Sequence, residues 1–291
     1  MKAAFLVGIN DYPGTQNDLA GCVNDVTNVY DVLVKYFGFA SSDITLLSDK
    51  RATKGAILAG LKRLLARGGA GDTLVFHYSG HGSQVRDAEG DELDDTQDEI
   101  ICPYDFDWDT GFIKDDDFAA LFSDLPKNVH LEVLLDSCHS GTGTREMIVD
   151  RRSLQVATGL SDGQAWNEQS LWKSSHCIRP RFLAPPSDVA LRADEIYGAE
   201  LPVRCLAFRE DMTHVLWAAC KSSQYSADAD IGGKPAGAFT YYFCKHIRDT
   251  AGKVSRSDLV KLVRASLKHE GFSQVPQLEC PEDRRKAGVF T

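Results

Sequence analysis

Hydrophobic positions along the first 80 residues switch repeatedly between two periods. Residues 3–9 form a short apolar run that predicts a strand. Over 18–36, Leu19, Val23, Val26, Val29, Leu33 and Tyr36 recur at helical spacing. Residues 44–47 predict a second strand. Thr53 opens a helix through Ile57, Leu58, Leu61, Leu64 and Leu65, which Gly68-Gly69 ends. Strands follow at 73–77, 131–135 and 215–219, with helical patterns at 239–248 and 257–269. Strand and helix in alternation predict an α/β protein with a parallel sheet. From 142 to 209 the rhythm breaks. That stretch carries Trp166, Trp172, Pro180 and Pro185-Pro186 among many Ser, Asp and Arg residues, and predicts a long inserted connection with some short helices. The chain divides accordingly into 1–141, the insertion 142–209, and 210–291, within one domain.

Composition narrows the class. No apolar run approaches the roughly 18 residues that a membrane helix needs. The apolar run at the start is too short for a signal peptide, which predicts a cytoplasmic location. The eight cysteines show no CxxC pair and no zinc-site spacing, so most read as reduced, buried thiols. Net charge is −10, but residues 87–117 alone hold 14 Asp or Glu against one Lys. The acidity is therefore local and suits a cation or a solvated loop. No basic face speaks for nucleic acid.

Two strands end in unusual sequences. One reads Val75-Phe76-His77-Tyr78-Ser79-Gly80-His81-Gly82-Ser83; the other reads Leu134-Leu135-Asp136-Ser137-Cys138-His139-Ser140-Gly141. In a parallel sheet, ligands sit beyond the carboxyl ends of the strands. Neighbouring strands would thus bring an imidazole and a thiol to one edge, a base and its nucleophile. The flanking glycines admit a substrate backbone, and the Gly82 and Cys138 N–H groups are candidates for an oxyanion hole. His77 lies inside the strand and His139 points away from Cys138, so His81 is the better base.

The motifs Tyr78-Ser79-Gly80-His81-Gly82-Ser83-Gln84 and Asp136-Ser137-Cys138-His139-Ser140-Gly141, 57 residues apart from His81 to Cys138, resemble the catalytic motifs of metacaspases. Leu19-Ala20-Gly21-Cys22-Val23-Asn24-Asp25 resembles that family's first acidic motif. Ala218-Ala219-Cys220 through Ala227-Asp228, then Gly237-Ala238-Phe239-Thr240, resembles its small-subunit half. The resemblance implies a caspase-like three-layer sandwich: a mostly parallel six-stranded sheet with helices on both faces. It also implies a cysteine endopeptidase with Cys138 as nucleophile and His81 as base or imidazolium partner. Lacking a Pro- or Gln-rich extension, the chain reads as a compact bacterial member, and a monomer. The alternative is a caspase-like scaffold that binds calcium without cutting.

Charge bears on specificity. The resemblance implies cleavage after Arg or Lys and an acidic P1 pocket; the matching positions, Asp25 and Asp136, would make a carboxylate pair complementary to a guanidinium, with Ser79 adding a hydroxyl, so peptide substrates with Arg or Lys at P1 are expected. The resemblance also marks Asp98, Asp115 and Asp116 as calcium ligands, although Arg145 stands where the family carries a further Asp. In the acidic segment itself, Gly90 is misplaced for an EF-hand. The insertion offers Arg145, Arg151, Arg152, Lys173, Arg179, Arg181 and Arg192, so an Arg-directed peptidase can cut itself there. Ser222, Gln224 and Asp228, just past the 215–219 strand, are candidates to line the groove.

Overall fold

A computed structural model describes residues 1–86, 97–123, 125–126, 128–138, 178–186, 189, 214–221 and 224–291. At its centre is a six-stranded sheet of β1 (Lys2–Gly8), β2 (Ile44–Ser48), β3 (Thr73–Ser79), β7 (His130–Asp136), β9 (Val215–Ala218) and β12 (Gln277–Glu279). Their order is β12-β9-β7-β3-β1-β2, with β12 alone antiparallel to its neighbour. Strands β1, β3, β7 and β9 are buried on both faces, which is why they read as continuous apolar runs rather than alternating ones.

Alternate residues of these strands feed two cores. Leu6, Val75, Leu134 and Trp217 face α1 (Cys22–Phe37), α4 (Ala238–Asp249) and α5 (Arg256–His269). Phe5, Phe76, Val133 and Leu216 face α2 (Lys54–Ala66) and α3 (Asp115–Ser123). A last short helix, α6, covers Glu282–Arg285. The first core also encloses an ion pair: Glu132 on β7 accepts from Arg256 Nη2 at 2.6 Å and from Trp217 Nε1 at 2.8 Å.

The first helix starts at Cys22, four residues later than its hydrophobic spacing predicts. Asp18 and Leu19 are drawn into a turn instead: Leu19 N–H donates to the Asn10 carbonyl at 2.9 Å, and Tyr12 N–H to Asp18 Oδ1 at 3.0 Å. Asn10 Oδ1 then caps the helix, accepting from Cys22 N–H at 2.8 Å.

Two small sheets lie outside the central one. The first joins β4 (Gly82–Arg86), β5 (Gln97–Ile101) and β6 (Ile113–Lys114), all antiparallel. Within the acidic segment, Asp98 and Glu99 belong to a paired strand and Glu99 is buried, while residues 87–96 lie outside those described. The second joins β8 (Arg179–Pro180), β10 (Ala227–Asp230) and β11 (Pro235–Gly237). Thus the insertion, described over 178–186 and at 189, contributes a strand. No helix among the described residues is long and apolar enough to cross a membrane.

Candidate active site

Strands β3 and β7 pair Ser79 with Asp136, and the chain leaves the sheet from both at the same level. From Ser79 it passes through Gly80, His81 and Gly82 into β4; from Asp136 it passes to Cys138. The two strand ends predicted to carry the chemistry are therefore adjacent. His77 sits inside β3, fully buried with Nδ1 against the Leu134 carbonyl, away from this edge. His139 lies outside the described residues.

His81 is held on three sides. Its N–H donates to Tyr12 Oη at 2.9 Å, its ring tilts against the Tyr12 ring at 4.9 Å, and Nε2 lies 2.8 Å from the Asn17 carbonyl. Burial pushes the imidazole down to about 4, so the ring is neutral near pH 7. A carbonyl can only accept, so the proton resides on Nε2 and Nδ1 is the bare, proton-accepting nitrogen. Nδ1 is buried and has no hydrogen-bond partner among the described residues. In this state the His81 ring is neutral, with its proton on the Asn17 side. Asn17 and Tyr12 escaped sequence reasoning because both come from a turn with no periodic signal.

The groove beside these residues is filled by the chain itself. β8 pairs antiparallel with β10, and Arg181 N–H donates to the Ser226 carbonyl at 3.0 Å. The Arg181 carbonyl then receives two N–H groups, Gly82 at 3.0 Å and Cys138 at 3.1 Å. These are the two donors expected of an oxyanion hole, and they converge on one carbonyl oxygen. The Cys138 thiol is buried alongside. Its Sγ lies 3.5 Å from the Ser226 carbonyl and accepts from the Ser226 N–H.

The Arg181 side chain enters a closed acidic pocket. Nη2 donates to Asp25 Oδ2 at 2.7 Å and to Asp228 Oδ1 at 2.9 Å. Nη1 donates to Ser79 Oγ at 2.7 Å and lies 3.2 Å from Asp136 Oδ2. Arg181, Asp25, Asp136 and Ser79 are all fully buried. The carboxylates are fixed in turn: Asp25 by Gly237 N–H at 3.0 Å, Asp136 by Thr240 Oγ1 and Ser226 Oγ at 2.6 Å each, and Asp228 by Ala20 N–H at 2.8 Å. Burial opposes the guanidinium's charge, but Asp136, Cys22, Asp25 and Asp228 outweigh it and hold Arg181 well above its usual value. Burial pushes the Asp25 carboxyl up to about 7 against the pull of Arg181, with Asp136 and Asp228 adding like-charge repulsion.

Asp25, Asp136 and Ser79 thus meet as the sequence predicts. Asp228, expected only to line the groove, is a third acid of the pocket. Gln224 lies to the side, donating to the Ser273 carbonyl at 2.7 Å, and Ser222 lies outside the described residues. Among the insertion's basic residues, Arg179 and Arg181 are described, and the others fall outside.

A family model for the metacaspase, peptidase C14 domain matches residues 2–145. Metacaspase-9 of Arabidopsis thaliana is 32% identical over 323 residues, which cover 98% of this chain and 95% of that protein. The chain belongs to the metacaspase family. It is a cysteine peptidase by that membership. Metacaspase-1 of Meyerozyma guilliermondii is 33% identical, covering 97% of this chain and 70% of its own. Among solved structures, a protein from Geobacter sulfurreducens superposes with a TM-score of 0.65 at 24% identity, covering 100% of this chain and 98% of that one. Caspase-1 from Spodoptera frugiperda gives 0.51 at 11% identity, covering 96% and 85%. These two likenesses bear on the fold, which is caspase-like.

The expected calcium ligands are only partly described. Asp115 and Asp116 form the first turn of α3 with Asp117, where negative charge suits the positive end of the helix. Pairing of Ile100 with Lys114 sets β5, and with it Asp98, beside that turn. The Asp98 side chain lies outside the described residues, and among those described no three His, Cys, Asp or Glu converge to hold a metal.

Proposed function

We propose that this metacaspase is an endopeptidase that cleaves after Arg, and more weakly after Lys, and that its first substrate is its own Arg181–Phe182 bond. The observation that carries this is the seating of Arg181. Its side chain is bonded to Asp25, Asp228 and Ser79, and its carbonyl oxygen accepts from both Gly82 and Cys138. The guanidinium presents two nitrogens to separate acceptors, a match that a single ammonium cannot reproduce.

In this scheme His81 Nδ1 takes the proton of the Cys138 thiol, and the sulfur attacks the carbonyl carbon. The C=O electron pair moves onto oxygen, where the Gly82 and Cys138 N–H groups stabilise the charge. His81 returns the proton to the leaving amine as the C–N bond breaks. Water, deprotonated by His81, then releases the acid and restores the thiol.

Calcium stimulation belongs to the same proposal. It is supported by the carboxylate-rich donor set around Asp98, Asp115 and Asp116, which suits a hard cation. No step of the reaction is routed through the ion.

The experiment is incubation of the purified chain, with calcium or with chelator, followed by intact mass and N-terminal sequencing. Fragments 1–181 and 182–291 are expected, and Cys138→Ala should stay whole. Peptides differing only at P1, Arg against Asp, run in parallel. Cleavage after Asp, or a Cys138→Ala chain still cut in isolation, would refute the proposal. Equal rates in chelator would remove calcium from it.

A further inference from the structure

The seated segment does not end at the bond to be cut. Phe182 bridges to Gly82 in parallel fashion, Leu183 N–H donates to the Gly82 carbonyl at 3.0 Å, and Ser83 Oγ donates to the Leu183 carbonyl at 2.6 Å. Gly82 therefore serves both sides of the bond, its N–H on the Arg181 carbonyl and its C=O on the second residue beyond. The two side chains are also engaged. The Phe182 ring tilts against Tyr225 at a centroid distance of 5.6 Å. The Leu183 side chain is buried and joins the core that contains Tyr12, Tyr78 and Leu216. Ala184 is already exposed, so the grip stops at two residues.

Resting on the cleavage proposed above, we infer that this enzyme also selects the two residues after the cut: an aromatic at P1′ packed on Tyr225, and an aliphatic at P2′ buried beside β4 and clamped by Gly82 and Ser83. Strand addition supplies main-chain bonds that any sequence can make, so selectivity must come from the side chains on either side of that strand. A charged P2′ residue would have to leave its water to enter an apolar site. Tyr225 offers a flat ring that is satisfied by another ring but not by a carboxylate.

The test uses internally quenched peptides that share Ile-Arg-Pro-Arg before the bond and continue with Phe-Leu, Asp-Leu, Phe-Asp or Asp-Asp. They are assayed on the full chain after its self-cleavage is complete. Phe-Leu should exceed Phe-Asp by about tenfold or more in kcat/KM, the scale on which apolar pockets discriminate. Asp-Asp should be the poorest. Tyr225→Leu should narrow the Phe-Leu to Asp-Leu ratio at least threefold while keeping the Phe-Leu to Phe-Asp ratio. As a check inside the chain, Leu183→Asp should slow self-cleavage, whereas Leu183→Met, which keeps an apolar side chain, should not. Equal rates for all four peptides would overturn the inference and leave Arg-directed cleavage standing. Failure to cut any of them would overturn both. A Tyr225→Leu enzyme with an unaltered P1′ ratio would overturn the role of Tyr225.

Discussion

Replacing Asp228 with Asn tests whether the third acid of the pocket reads charge. The carboxylate accepts Arg181 Nη2 at 2.9 Å and also anchors the N–H groups of Ala20 and Gly21, so the variant disturbs both the guanidinium and the backbone before α1. These effects separate by substrate. Backbone disturbance lowers kcat/KM equally for a P1-Arg peptide and its neutral isostere, P1-citrulline; loss of charge penalises Arg alone. A hydrogen bond to a charged group contributes about 1.5–3 kcal/mol. At about 1.4 kcal/mol per factor of ten, that is roughly 10- to 100-fold. The pocket holds three acids around one cation, and their mutual repulsion helps push Asp25 up to about 7. Removing one acid relieves that repulsion, so the low end applies. The Arg-to-citrulline ratio of kcat/KM should fall by about tenfold. The assay is initial rates on the paired peptides, with thermal melting as the folding control. An unchanged ratio in a folded variant would show that Asp228 only holds the backbone and that two acids suffice.

Other perturbations reach different parts of the fold. A Cβ at Gly82 would lie 2.2 Å from the Cys138 carbonyl oxygen, so Gly82→Ala must shift β4 and withdraw its N–H; kcat should fall about 100-fold or more with KM little changed, and a loss confined to KM would contradict this. Glu132→Ala strands the Arg256 guanidinium in the core, which costs about 3–5 kcal/mol in urea unfolding; a cost below about 1 kcal/mol would mean that the pair contributes little. Burial lowers His77 from 6.5 to about 4, so the unfolded chain binds the extra proton and stability present above pH 6.5 is lost as pH falls towards 4. His77→Gln should lose about 3 kcal/mol less than the parent over that window, and parallel pH profiles would refute the assignment. With the nucleophile removed, Cys138→Ala should bind a labelled Ile-Arg-Pro-Arg-Phe-Leu peptide far more weakly than Cys138→Ala/Arg181→Gly, because a tethered segment competes at an effective concentration of about millimolar; equal affinities would mean that 178–183 does not hold the groove.

The sheet edge proposed to be catalytic was legible because its signals are local. An apolar strand followed by Ser-Gly-His-Gly, and another followed by Asp-Ser-Cys, announce their strand ends without tertiary information. Asp25 and Asp136 were legible through resemblance and charge together. Arg181 was visible only as one of several basic residues in a stretch without period, because its partners Asp25, Asp136 and Asp228 lie far along the chain. Asp228 was hidden for a related reason. Its strand reads Ala-Asp-Ala-Asp, and Asp228 pairs with Arg179 in the register that the seated segment adopts. The sheet of β4, β5 and β6 was obscured by acidic residues that suggested a cation site or a solvated loop, and the late start of α1 by a turn that tertiary hydrogen bonds impose on residues with helical spacing.

This pocket discriminates by what it lacks as much as by what it offers. Asp25, Asp136 and Asp228 together exceed the charge of any one guanidinium, and all three are buried. Carboxylates brought together in a poorly solvated site raise one another's proton affinity, which is the direction seen for Asp25. An Arg side chain relieves that repulsion on entry. A neutral side chain leaves it, and under the proposed cleavage a P1 Asp would add a fourth carboxylate, so the proposal has the same residues that attract basic substrates reject acidic ones. The seated Arg181 is therefore more than an occupant. It completes the charge of the pocket, and through its backbone it joins β10 on one side and Gly82 on the other. Under the proposed reading, a substrate that replaces it must supply the cation and the strand together, which favours an extended peptide with Arg over a free basic ligand.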